Sequence, residues 1–282
     1  MQYLPQRLTL VSLVLCSAGT ALGQSLPTTQ PALITIVREE VKTGRTADHA
    51  KHEAGWPAAL ERAKSPDFYL AFVSMTGPNE AWYITPFASH TAISEGMKRD
   101  DADPVLSTEL ARLSKLDAEF LNGIRSIHAA ARTDLSMGDF PDLARMRFWE
   151  LTVFRVRPGH EEAFAAAAKA YRSAAQRSAP NTRWRMYEVI AGMPGPTYLV
   201  FGSVASFAEF DRSMSEAEVL MKGMTAEEGA TLNKFSRESL LSAETNRFRL
   251  DPVQSYVAKE TRATDPAFWM PKRAITRAAT PE

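Results

Sequence analysis

The sequence predicts an α+β protein built from two tandem ferredoxin-like βαββαβ units, residues 33–138 and 146–257, packed sheet to sheet as a pseudo-dimeric α/β barrel after an N-terminal signal peptide. Three observations carry this expectation. Landmarks recur at a spacing of 115 residues, both halves show the same order of apolar patterns, and residues 1–23 have the make-up of an export signal.

The repeat is read from five landmarks. Ile34-Thr35-Ile36-Val37 falls on Trp149-Glu150-Leu151-Thr152 as an apolar strand start, and Lys42-Thr43-Gly44 falls on Arg157-Pro158-Gly159 as the turn ending that strand. Trp56 falls on Tyr171, Gly77 on Gly192, and Tyr83-Ile84 on Tyr198-Leu199. Strands are expected at 33–41 and 148–157, where β-branched and aromatic residues run or alternate. Helices follow at 46–64 and 159–178; Glu161 and Glu162 in the first turn of the second complement the helix dipole, and the run Ala163–Ala168 has high helix propensity. A hairpin comes next, 67–75 with 80–85 and 182–191 with 197–203, turned by Gly77-Pro78-Asn79 and by Gly192-Met193-Pro194-Gly195-Pro196.

Short helices are expected from Ser89 and Ser206, capped by those hydroxyls. Long helices should cover 104–127 and 225–242, where Leu106, Leu110, Leu113, Leu116 and Phe120 keep helical spacing, before last strands at 128–135 and 244–250. The β-α-β-β-α-β order is that of the split βαβ unit. Such a unit covers one sheet face with helices and leaves the other open, and the second copy in the same chain is the nearest partner for that face. Residues 136–146 read as the joint between units, and 258–282, with Pro266, Pro271 and Pro281, as an extended tail.

The first residues place Arg7 before the apolar run Leu8–Leu15 and end in Ala21-Leu22-Gly23, a secretory signal with cleavage expected before Gln24. The apolar stretch Leu8–Leu22 is 15 residues, short of the ~20 needed to span a bilayer. A periplasmic or secreted protein with no integral membrane segment is expected. Cys16, the only cysteine, lies inside the signal, so thiolate chemistry is excluded from the mature chain. Lys plus Arg number 33 and Asp plus Glu number 33. That balance leaves no basic footprint for nucleic acid.

At Phe148-Trp149-Glu150-Leu151-Thr152-Val153-Phe154-Arg155-Val156-Arg157-Pro158-Gly159-His160-Glu161-Glu162-Ala163-Phe164 the second unit resembles the dimeric α/β-barrel superfamily and, within it, the NIPSNAP-type branch. A strand ending in a basic-Pro-Gly turn leads there into a helix with a large apolar residue one turn in. Residues Ile36–Ala50 form a weaker version, with Lys42-Thr43-Gly44 at the turn. The resemblance spans roughly 33–257 and implies the fold and a cavity between the sheets. Its relatives include cofactor-free monooxygenases, haem-handling enzymes, stress-responsive binding proteins and proteins of unknown role, so it implies no single activity.

In strand 148–154 the alternation separates Trp149, Leu151 and Val153 from Glu150 and Thr152. With the apolar set against the helices, Glu150 and Thr152 point between the sheets, where a desolvated carboxylate would suit a general base. The competing reading pairs Glu150 with Arg183 or Arg185. Tyr83, Tyr187 and Tyr198, with Arg185, are the candidates to orient a flat apolar ligand in that space. His49 and His52 are three apart on the first helix, but two ligands without an evident third do not make a metal site, and both fall on the stripe expected to pack on the sheet. No metal or cofactor is therefore expected. No phosphate loop, dinucleotide fingerprint or nucleophile elbow is present. Three functions stay open: binding of a small apolar or aromatic molecule between the sheets, a cofactor-independent oxygenase or isomerase-like enzyme with Glu150 as base, and an interaction module, with a homodimer compatible with each.

Overall fold

The computed structural model describes residues 26–271; the expected signal, 1–23, lies outside them. The first half runs β1 (Leu33–Val41), α1 (Thr46–Glu53), α2 (Gly55–Ala63), β2 (Tyr69–Ser74), β3 (Glu80–Phe87), α3 (His90–Ala102), α4 (Pro104–Asp117) and β4 (Leu121–Ala131). The second runs β5 (Phe148–Val156), α5 (Glu161–Ser178), β6 (Arg185–Ala191), β7 (Thr197–Val204), α6 (Glu209–Lys222), α7 (Ala226–Glu238) and β8 (Leu240–Tyr256). Two short helices follow, α8 (Lys259–Thr264) and α9 (Pro266–Trp269).

The eight strands close into one antiparallel barrel in the order β1-β3-β2-β8-β5-β7-β6-β4. Within each half the strand order is the same, β4-β1-β3-β2 and β8-β5-β7-β6, and the halves join at the β2–β8 and β4–β6 seams. Closure gives the edge strands of each half a partner, so neither half presents unpaired backbone along its sheet edge.

The barrel interior is largely filled. Ile36, Phe72, Trp82, Ile127, Trp149, Leu151, Leu199, Phe201 and Phe248 form one buried cluster there, drawn from both halves. Trp149 meets the Phe72 ring edge-on at 5.2 Å, and Trp82 meets Phe248 at 5.7 Å. Side chains thus occupy most of the expected ligand space between the sheets, leaving about 70 Å³ lined by Leu70, Phe72, Trp149, Tyr187 and Phe201. Bulky apolar residues from two half-buried sheets exclude more water by filling this common core than by facing helices one sheet at a time.

Several boundaries differ from the sequence expectation. The helices expected to 127 and 242 stop at Asp117 and Glu238, and β4 and β8 start at Leu121 and Leu240. Apolar spacing at Leu113, Leu116 and Phe120 continues across the helix end, but pairing of Leu121–Ala130 with β1 decides the conformation there. The helix expected over 46–64 is broken at Ala54 into α1 and α2. Gly55 allows this close turn: a Cβ there would sit 2.8 Å from the Leu113 side chain. Finally, the expected extended tail folds back as α8 and α9 through residue 269. Trp269, buried among the residues at one barrel end, donates its indole N–H to the Ala144 carbonyl at 3.1 Å, and Arg262 pairs with Glu61 at 2.8 Å.

Candidate functional site

Barrel filling inverts the faces expected in β5. Trp149, Leu151 and Val153 point into the barrel, and Glu150, Thr152 and Phe154 point outward beneath the helices. Under α5, α6 and α7 the outer face of β5, β6 and β7 bounds a cavity of about 910 Å³. Its floor is apolar: Phe154, Phe164, Val200, Leu220, Leu232 and Phe235. Glu150, Thr152, Tyr171 and Arg183 supply polar groups around it.

The cavity exists because of small residues. Ala167 and Ala168 of α5 and Gly202 and Ser203 of β7 line it, and none reaches across the gap. At the 115-residue spacing, Ala167 and Ala168 correspond to His52 and Glu53 in the first half, Phe164 to His49 and Phe154 to Glu39. The same space beneath the first helix of each half is therefore open in one and filled by polar side chains in the other.

Glu150 accepts a bond from Arg247 Nε at 3.1 Å and is 39% exposed. Its partner is neither Arg183 nor Arg185; it is the residue directly opposite on β8. Thr152 bonds Thr245 at 2.9 Å. Tyr171 stands edge-on to Trp184 at 5.6 Å, and its phenol is pushed up by burial and by the Glu150 charge.

The other expected ligand-binding residues lie elsewhere. Tyr198 is fully buried, stacked on Phe164 at 3.9 Å. Tyr187 points into the barrel, edge-on to Phe201 at 5.8 Å. Arg185 is spent on the connector, donating to the carbonyls of Met137 at 3.0 Å, Gly138 at 2.7 Å and Asp139. Tyr83 faces the helices of the first half and donates to Gln254 Oε1 at 2.9 Å. Glu150 and Thr152 meet at this cavity, while Arg185 and Tyr187 meet at a smaller one, about 70 Å³, beside Phe72, Trp149 and Phe201 of the barrel interior.

In the first half the space is closed by a buried polar cluster that the sequence reading did not find. Glu39 from β1, His49 and Glu53 from α1, and Asp117 at the end of α4 are all buried. Glu39 Oε2 lies 2.8 Å from His49 Nε2, and Glu53 Oε1 lies 3.9 Å from the same nitrogen. His52 Nε2 lies 3.0 Å from Asp117 Oδ1 but is aligned on the Leu113 carbonyl at 3.1 Å, so it does not satisfy that carboxylate oxygen. The two histidines do pack on the sheet as expected, but against three carboxylates. One signal was readable: Glu39 interrupts the helix-facing row of β1 between Val37 and Val41. Asp117, 64 residues beyond Glu53, had none.

Glu53 is pushed up to about 10, first by burial, then by the Glu39 and Asp117 carboxylates. Glu39 is also raised by burial, against the opposing hydrogen bond from His49. Because an unfolded glutamate titrates near 4.5, folded protein holds the extra proton between those values. Its contribution to stability is complete below the unfolded pKa and declines as pH rises toward the folded one, by at most about 1.4 kcal/mol per pH unit. With chelator present, Glu53→Gln should flatten the fall in urea midpoint between roughly pH 6 and 9. Parallel pH profiles for the two proteins would contradict a proton held on Glu53.

No protein-family profile matches the chain, and no curated protein matches it. Solved structures do. A proposed monooxygenase of Fusobacterium nucleatum subsp. nucleatum is similar over 78% of this chain and 93% of its own, with 9% identity and a TM-score of 0.52. An anthrone oxidase-like protein is similar over 77% of this chain and 90% of its own, with 13% identity and a TM-score of 0.54. At such identities the likeness establishes the fold, that of the dimeric α/β-barrel proteins, and not an activity.

Proposed function

We propose that the protein binds a small apolar or aromatic molecule in the cavity of its second half. One observation carries this: about 910 Å³ lined by Phe154, Phe164, Val200 and Phe235, with Glu150, Thr152, Tyr171 and Arg183 placed to orient a polar edge. Ligand pockets are commonly ~300–1,000 Å³, apolar with few polar groups. Anthrone, a flat tricyclic ketone taken from the name of one structural neighbour, is a rational first probe.

Titration with anthrone, followed by quenching of Trp184 at the cavity wall, should show saturable binding. Ala168→Phe places a ring in the space and should weaken binding about tenfold or more without lowering the thermal midpoint, since it fills a void. Unchanged affinity in a folded variant would move the site elsewhere.

A cofactor-independent oxygenase or isomerase-like activity with Glu150 as base ranks second. The carboxylate lines the cavity, as that reading needs, but Arg247 holds it at 3.1 Å and it is 39% exposed, so it is neither unpartnered nor desolvated. We read the halves as two copies of one ferredoxin-like unit, supported by their shared strand order, and place the chain with the NIPSNAP-type branch on the Phe148–Phe164 pattern. Export to the periplasm rests on Arg7, the apolar run Leu8–Leu15 and the small residues before Gln24. Among the described residues no helix is long and apolar enough to cross a membrane.

A further inference from the structure

We infer that Glu39, His49, His52, Glu53 and Asp117 bind a divalent transition-metal ion in the first half of the barrel. The donors fall into two sets of three, Glu39-His49-Glu53 and His52-Glu53-Asp117, each with its ligand atoms within 4.8 Å of one another. Glu53 belongs to both and sits between them.

Four observations converge on this assignment. The first is geometric: around one ion at about 2.0–2.2 Å, neighbouring ligand atoms stand about 3.0–3.4 Å apart. The observed 2.8 Å from Glu39 to His49, 3.9 Å from His49 to Glu53 and 3.0 Å from His52 to Asp117 bracket that spacing. Small side-chain adjustments would bring each set onto an ion.

The second is polar satisfaction. Apart from a carboxyl–carboxylate contact between the two residues themselves, Glu53 Oε1 and Asp117 Oδ1 are buried with no hydrogen-bond donor, on residues only 3% and 5% exposed. A carboxylate oxygen taken out of water and left without a donor is costly, and such atoms in a native fold call for an unseen partner. Both atoms belong to the two donor sets.

The third is charge. Three carboxylates share this volume with two imidazoles, and among the described residues no lysine or arginine bonds any of the three. Elsewhere in the chain carboxylates are matched by arginine, as at Arg38–Glu80, Arg177–Glu228 and Arg262–Glu61. With the proton on Glu53 displaced, a divalent cation supplies the positive charge that no side chain provides.

The fourth is the arrangement along the chain. His49, His52 and Glu53 occupy positions i, i+3 and i+4 of α1, one face of a helix. The facing strand and the end of α4 add Glu39 and Asp117 from outside. Imidazole with carboxylate suits Zn²⁺, Fe²⁺ or Mn²⁺; the absence of thiolate and the presence of two histidines argue against Cu⁺ and Ca²⁺ respectively. In the second half the corresponding residues are Phe154, Phe164, Ala167, Ala168 and Leu232, which cannot ligate, so the site is confined to one half and is separate from the proposed ligand cavity.

The full-length protein, stripped with EDTA and back-titrated with Zn²⁺, tests this. After gel filtration the protein should retain one or two equivalents by elemental analysis and unfold several degrees higher. Co²⁺ in its place should give the visible bands of nitrogen and oxygen ligation. The double variant His49→Ala/His52→Ala, which keeps every carboxylate, should weaken Zn²⁺ binding about 100-fold or more. No retention by the wild-type protein, or wild-type affinity in the double variant, would overturn the assignment. If that variant fails to fold, X-ray absorption of the zinc-loaded wild-type protein decides: an imidazole and oxygen shell supports the site, and an all-oxygen shell overturns it.

Discussion

Gly192→Ala should destabilise the protein by about 3 kcal/mol, whereas Gly77→Ala, its counterpart in the first half, should cost about 1 kcal/mol. Both glycines follow the second strand of their half and have positive φ, +91° and +73°. Each also touches a strand of the other half at a barrel seam. The contacts differ in kind. A Cβ on Gly192 would lie 2.0 Å from the Ser126 carbonyl oxygen and 2.9 Å from Ile127 Cα, both backbone atoms of β4. Those atoms are fixed by the pairing of β4 with β1, so relief requires the β4–β6 seam to open locally. At Gly77 the obstruction is the Asn246 side chain, 2.1 Å away, which can rotate aside. Urea denaturation of both variants checks the contrast. Equal and small losses would mean that the backbone does not approach Gly192 this closely.

Trp149→Ala should be the most damaging single truncation in the barrel, about 3–5 kcal/mol. Trp149 comes from β5, yet its ring packs edge-on against Phe72 of the other half at 5.2 Å and against Phe201 of its own at 6.5 Å. It ties the two sheets together inside the barrel. Its indole N–H has no partner, so the change orphans no hydrogen-bonding group and the loss reports packing and cavity formation alone. The same substitution discriminates between the two possible phases of β5. Were Trp149 under the helices, its loss would open the helix-side cavity and enhance binding of an aromatic probe. From within the barrel it should lower stability and leave probe affinity nearly unchanged where the variant remains folded.

What the sequence made legible was periodic and local. The pairs Gly77/Gly192 and Trp56/Tyr171 point to the shared strand order of the two halves, because a turn and a helix stripe impose the same demand twice. Strand alternation in 148–154 was equally clear, but alternation separates two faces without saying which faces the core. Trp149 and Glu150 were therefore sorted correctly into two sets and assigned to opposite sides from those they occupy. The deciding quantity, that the barrel interior takes up bulky residues from both halves at once, is a property of closure and not of any one strand. The helix end at Asp117 is not legible in the sequence, because Leu116 and Phe120 keep helical spacing past the point where pairing with β1 takes over.

The candidate sites were less readable for a related reason. Glu150 and Thr152 were picked out by their strand, and they do line a cavity, but Arg247 becomes the partner of Glu150 only through the β5–β8 register. His49 and His52 stand three apart on one helix, and the sequence alone marks no third ligand for them. Glu39 comes from the preceding strand and Asp117 from the end of α4, and only the fold brings them to α1. The cavity itself is written in small residues, Ala167, Ala168 and Gly202, which read from sequence as helix propensity and strand filler.

Native mass spectrometry with an absorption spectrum, on purified full-length protein mixed with anthrone, tests whether a ligand sits beneath α5. A one-to-one adduct, carried from the cell or formed with the probe, is expected, and Ala168→Phe should remove it. A bare mass under all these conditions, or an adduct that persists in the folded variant, would contradict the placement of a ligand beneath α5.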